Sequence, residues 1–221
     1  MTRAALALVL TVVCALSFAQ HPLPLAPDYK LDGLSAADLS AEWWKWAMAS
    51  PREISPVRDL SGAHCAVGQS GRVWFLAGGF GSARISRECT IPADKYLFFP
   101  VVNMAYWPSD ENSGFTCAQA KVSAALNNDT AVDLFASLDG AEIPSVRSHR
   151  ARTEECFDIF ERVPSSFGPY KAFPSASDGY WLLLAPLPKG KHTIKFGGKY
   201  NRNSADYGRM VQDIEYYVIV K

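Results

Sequence analysis

The side chains able to do chemistry are few and scattered. Four histidines, His21, His64, His149 and His192, could carry a proton or bind a metal. None lies within motif spacing of another, so a metal site would need ligands converging from distant segments. His64 and His192 are the pair assigned to such a metal-dependent reading, and no cofactor is predicted. Carboxylates sit beside aromatic rings at Glu42, Asp110, Glu111 and Asp178. Glycoside hydrolysis needs two carboxylates across a cleft, one of them held protonated. Glu42 and Asp178 are therefore the candidate acid and base of a secreted hydrolase or lyase acting on a polymer. The plainer reading makes Asp178-Gly179 a turn that opens a strand and places Glu42 on a solvated helix face. Gly68-Gln69-Ser70-Gly71 lacks the spacing of a nucleophile elbow, and Gly79-Phe80-Gly81 lacks the helix that would receive a pyrophosphate. Trp44 and Trp107 are the aromatics least explained by a buried period, and so the candidate ligand-binding residues.

Other charged clusters read as structural. Arg147, His149, Arg150 and Arg152 are followed at once by Glu154, Glu155, Asp158 and Glu161. That order predicts an exposed loop that neutralises itself, pinned by Cys156. Asn128-Asp129-Thr130 fits an N-glycosylation acceptor, which matters in a eukaryotic secretory host. The chain balances 22 basic against 22 acidic side chains, so it lacks the basic surface a nucleic-acid binder uses. With 48% hydrophobic and 12% aromatic residues it is a folding sequence rather than a disordered one.

Residues 1–19 read as a signal peptide. Arg3 supplies a positive start, AALALVLTVVCAL is an apolar stretch too short for a stable span, and Ser17 and Ala19 are small residues at a cleavage site. The expected mature protein is exported, periplasmic or secreted, with no transmembrane anchor. Residues 20–33 hold three prolines and predict an extended arm. Residues 34–221 are expected to form one domain.

Cys65, Cys89, Cys117 and Cys156 remain after Cys14 leaves with the signal. An even number in an oxidising compartment implies two disulfides. Three connectivities are open. Cys65–Cys89 with Cys117–Cys156 is favoured because each closes a local loop. No pair has the close spacing of a structural zinc site.

Local patterning then places the elements. Ser35 and Asp38 form a capping box ahead of a helix carrying Leu39, Trp43, Trp46 and Ala47, which Pro51 stops. Its three tryptophans make a core face more readily than a sugar platform, with Trp44 packed on a neighbour. Thr116 and Gln119 cap a second helix over 116–127. Strands are expected at 72–79, 87–92, 95–103, 180–187, 191–198 and 213–221, with a hairpin at Asp139-Gly140. Strands and helices do not alternate, so no parallel sheet is expected. The fold class is mainly β, a single-domain β-sandwich in the jelly-roll manner with two short peripheral α-helices.

Trp43-Trp44-Lys45-Trp46, Gly62-Ala63-His64-Cys65 through Gln69, Val73-Trp74-Phe75-Leu76-Ala77-Gly78, Cys89-Thr90-Ile91-Pro92-Ala93, Phe98-Phe99-Pro100 through Asn103, and Asp178-Gly179-Tyr180-Trp181 through Pro186-Leu187, Gly190 and His192 occur along the chain. As a set, these motifs resemble those of a family of exported prokaryotic proteins of unassigned activity. Asp94 departs from the pattern, where glycine is expected. The resemblance implies an exported single domain and a Cys65–Cys89 bridge, and carries no catalytic residue. The function expected is a non-catalytic ligand-binding or envelope-associated protein, with a carbohydrate or other envelope component as partner.

Overall fold

The computed structural model describes residues 24–81, 83–110, 112–166, 171–203 and 207–221. Residues 1–19, expected to be a signal peptide, and His21 lie outside the described residues. The protein is mainly β. Among the described residues nine strands form two sheets: β1 (Val73–Phe75), β3 (Tyr96–Tyr106), β7 (Ala176–Leu184) and β6 (Arg150–Arg152) in one, and β2 (Arg84–Ile91), β9 (Val211–Val220), β8 (Gly190–Lys199), β4 (Val132–Leu138) and β5 (Ala141–Glu142) in the other. The edge pairs β1–β3 and β2–β9 are parallel, a correction to the expectation, while the other pairings are antiparallel. A parallel pair at a sheet edge needs only a long return of the chain, not a repeated strand–helix pattern.

The burial patterns explain why two kinds of strand appear in the sequence. β2 alternates exposed and buried residues along its length, because one face meets the core and the other meets water. β7 is buried at every position. Its Tyr180, Leu182 and Leu184 face the second sheet, where they join Phe99, Phe196, Ile214 and Tyr216. Its Trp181 and Leu183 belong to a second core with Phe98, Phe75 and the helix α1 (Ala36–Ala49). The protein is therefore layered as helix, four-stranded sheet and five-stranded sheet. The apolar runs FFPVV and YWLLL follow from a central sheet covered on both faces.

Helix α1 begins as its sequence dictates. The Asp38 amide donates to Ser35 Oγ at 3.2 Å and the Ser35 amide donates to Asp38 Oδ2 at 2.9 Å. Trp43 and Trp46 are buried, and their indole N–H groups donate to the carbonyls of Leu76 and Val67. Trp181 stacks on Phe98 at 5.1 Å and meets Trp43 edge-on at 5.5 Å. The second helix, α2 (Cys117–Asn128), has the Thr116–Gln119 capping box and packs on β3 and β7. Both favoured disulfides are present, with Cα separations of 6.0 Å for Cys65–Cys89 and 5.9 Å for Cys117–Cys156. The β4–β5 hairpin turns through Asp139 and Gly140, both at positive φ, as a type I′ turn requires. From Pro24 onward the chain lies against β7, where the Leu25 amide donates to the Leu183 carbonyl at 2.8 Å. No helix among the described residues is long and apolar enough to cross a membrane.

Two interior contacts hold the loops around the sandwich. The Arg87 side chain, 1% exposed, donates to the carbonyls of Asp59 (2.7 Å), Ala77 (2.9 Å) and Val57 (3.2 Å), and lies over the Tyr216 ring. Gln212 donates to the Pro100 and Val101 carbonyls at the register shift of β3 and accepts from the Gly79 amide. Both residues thereby fix the chain that follows β1.

His149 closes the short 3₁₀ turn Val146–His149 and is 9% exposed. Burial lowers its pKa, because the charged imidazolium loses hydration. The unfolded chain then takes up a proton from about pH 6.5 downward, before the folded state does. Stability is full above that pH and falls as pH drops toward the folded pKa. Denaturant unfolding at about pH 7.5 and about pH 5.5 should show this loss in the parent protein and a smaller one in His149→Leu. An equal loss in both proteins would place the sensitivity elsewhere.

Candidate functional site

A cleft of about 590 Å³ opens beside α1. Its volume falls within the roughly 300–1,000 Å³ usual for small-molecule sites. One wall is α1, through Trp43, Trp44, Ala47 and Met48. Chain 50–58 follows, with Arg52 and Arg58. Gly78, Gly79 and Phe80 come from the segment after β1, residues 103–107 from the end of β3, and Tyr207 with Met210 from the approach to β9. The local reasons are plain. α1 ends at Ser50 before Pro51, so the chain turns away and leaves the last helical turn as a wall. Arg87 draws Val57 and Ala77 to one guanidinium, which sets the two adjoining walls at a fixed separation.

The lining is largely apolar and aromatic. Phe80, Tyr106 and Tyr207 are each about half exposed, at 47%, 45% and 52%. Arg52 and Arg58 are exposed cations. Arg58 lies over the Phe80 ring at 5.3 Å, and neither arginine forms a salt bridge with a described residue. No Asp, Glu, His or Cys lines the cleft among the described residues. Trp44 Nε1 and Asn103 Nδ2 are shielded donors with no acceptor, and both residues belong to the wall. A buried donor left unpaired costs about 1–3 kcal/mol. A half-turn of the Asn103 amide exchanges its oxygen and nitrogen.

Trp44 and Trp107 both line this cleft. Trp44 is only 9% exposed and meets Trp43 edge-on at 5.1 Å, so it is wall rather than open platform. Trp107 is half-buried against Phe160. The other candidates lie elsewhere. Asp178 sits inside β7, so Asp178-Gly179 is not the expected turn. Its side chain, 2% exposed, accepts from Arg150 at 2.9 Å and from Arg152 at 2.8 Å. Burial pushes the Asp178 carboxyl up, against the pull of those two guanidiniums. Glu42 is a half-buried residue paired with Lys45 and Arg162. Neither carboxylate lines the cleft. His64 and His192 do not line it either. Both ring nitrogens of His192 are engaged, with Asp139 Oδ2 at 2.7 Å and the Pro188 carbonyl at 2.8 Å. No group of three or more His, Cys, Asp or Glu side chains placed to hold a metal occurs among the described residues.

Two sequence expectations are corrected here. Arg150 and Arg152 are neutralised by Asp129 and Asp178, not by the acidic residues that follow them. Strand pairing of β6 on β7 brings those partners together across the sheet. Asn128 is fully buried, bonding Ala124, Asp178 and Tyr200, so the folded chain offers no glycan acceptor there. Sequence reasoning missed Arg52, Arg58, Asn103 and the methionines of the cleft. Their spacing carries no period, because they come from four separate stretches of chain: the end of α1, residues 50–58, the end of β3 and the approach to β9. No family model matches the chain, and it matches no curated protein and no solved structure.

Proposed function

We propose that this is an exported, non-catalytic binding protein, one domain over residues 34–221, that holds a small and mainly apolar ligand in the cleft beside α1. The observation that carries the reading is the make-up of the cleft. It is a concave apolar site with exposed aromatic rings and two arginines without a salt-bridge partner, and no carboxylate or imidazole that could serve as general acid or base lines it among the described residues. Export is supported by the signal-like residues 1–19 and by the two disulfides, which persist in an oxidising compartment. Membership of the exported prokaryotic family whose motifs the chain resembles belongs to the same proposal. A carbohydrate ligand has less support, since sugar hydroxyls call for many paired polar groups and this wall offers few.

The neutral fluorescent probe N-phenyl-1-naphthylamine tests the reading. Saturable binding of one probe per chain is expected. Phe80→Ser with Tyr106→Ser should weaken it about tenfold without changing the melting temperature, because both rings are half exposed and contribute apolar area to the cleft. Absence of saturable binding, or equal binding by the variant, would overturn the proposal.

A further inference from the structure

The chain has four methionines, and all three beyond Met1 line this one cleft: Met48, Met104 and Met210. Methionine is unbranched and polarizable, and it adapts to ligands whose shape varies. A rigid sugar or ring system does not call for that concentration of flexible side chains. A flexible alkyl chain does. The charge at the site is one-sided as well. Among the described residues Arg52 and Arg58 are exposed and without a salt-bridge partner, and no acidic side chain lines the cleft. The shielded donors of Trp44 and Asn103 lie within the wall, whereas the guanidiniums are open to solvent. An anionic headgroup therefore meets the arginines first. Resting on the cleft being a ligand site, we infer that its ligand is a single-chain amphiphile. The alkyl chain lies among the methionines and aromatic rings, and the anionic headgroup is bound by Arg52 and Arg58.

Charge-assisted hydrogen bonds from a guanidinium to a carboxylate are about twice as strong as neutral ones, and Arg can make two at once. The test is displacement of N-phenyl-1-naphthylamine by three twelve-carbon chains at neutral pH, each below its micelle concentration: dodecanoate, dodecanol and dodecyltrimethylammonium. The parent protein should bind dodecanoate about tenfold or more tightly than dodecanol, and the cation least. Arg52→Gln with Arg58→Gln should bring dodecanoate to the affinity of dodecanol and leave dodecanol unchanged. Arg52→Lys with Arg58→Lys should restore part of the preference, which a folding defect would not. Equal binding of dodecanoate and dodecanol by the parent would overturn the headgroup assignment and leave the apolar cleft standing. A carboxylate preference that survives the double glutamine variant would also overturn it. Failure of all three chains to displace a bound probe would overturn the amphiphile. Failure of the probe itself to bind would overturn the binding-protein reading with it.

Discussion

Replacing Arg87 with alanine should lower the unfolding free energy by about 3–5 kcal/mol through unpaired carbonyls and a cavity, a large part of the roughly 5–15 kcal/mol a domain has. The guanidinium is 1% exposed and has no carboxylate partner among the described residues. Its hydrogen bonds go to three backbone carbonyls, at Val57, Asp59 and Ala77, and to the Tyr216 hydroxyl. Removing it leaves those acceptors in a dry interior and opens a cavity the length of an arginine. Arg87→Met separates the two effects, since methionine fills much of the volume and donates nothing. It should recover part of the stability. Binding of the naphthylamine probe should still fall, because Val57 belongs to the cleft wall and loses its tether. Chemical denaturation of both variants, with probe titration of the methionine form, checks this. A melting temperature for Arg87→Ala within about two degrees of the parent would show that the loops are held by other contacts.

Asp178→Ala should cost about 3 kcal/mol, because it leaves Arg150, whose side chain is only 20% exposed, with the half-exposed Asp129 as its remaining carboxylate. Arg150 reaches both carboxylate oxygens of Asp178 and also Asp129. Burial works against its charge, and the hydrogen bonds to Asp178 and Asp129 outweigh that and raise its pKa. The arm to Arg152 contributes less, because that side chain is 56% exposed and its charge is screened. Asp178→Leu with Arg150→Leu should regain most of the loss, since a buried ion pair replaced by apolar side chains is often neutral. Thermal or urea unfolding of the single and double variants closes the cycle. Asp178 acting instead as an acid or base predicts the opposite pattern. Asp178→Asn would then keep the melting temperature and lose a hydrolytic activity.

The elements that depend on neighbouring residues were legible before the fold. The Ser35–Asp38 and Thr116–Gln119 boxes, the Asp139-Gly140 turn and the strand runs are local signals, each written within a few residues. The short strand β6 was not read, because three residues with two arginines carry no β pattern until β7 pairs with them. The strand over 72–79 shortened to Val73–Phe75, since after the Leu76 amide bonds Phe98 the chain from Ala77 to Gly79 turns to Arg87 and Gln212 instead of continuing the ladder. Trp44 and Trp107, which line the candidate cleft, stand out in sequence because a tryptophan without a buried period is conspicuous alone. The cations beside them do not, because an exposed arginine looks the same in sequence wherever it lies.

Composition, cysteine count and hydropathy pattern were sufficient for two disulfides, a mainly β chain and two capped helices. Those properties arise from backbone preference and apolar burial, which act over short stretches of chain. The third layer, the partners of Arg87 and Asp178 and the assembly of the cleft came only with the tertiary structure. They depend on side chains between ten and more than a hundred residues apart. Long-range pairing of this kind is decided by which faces the two sheets and α1 must bury together.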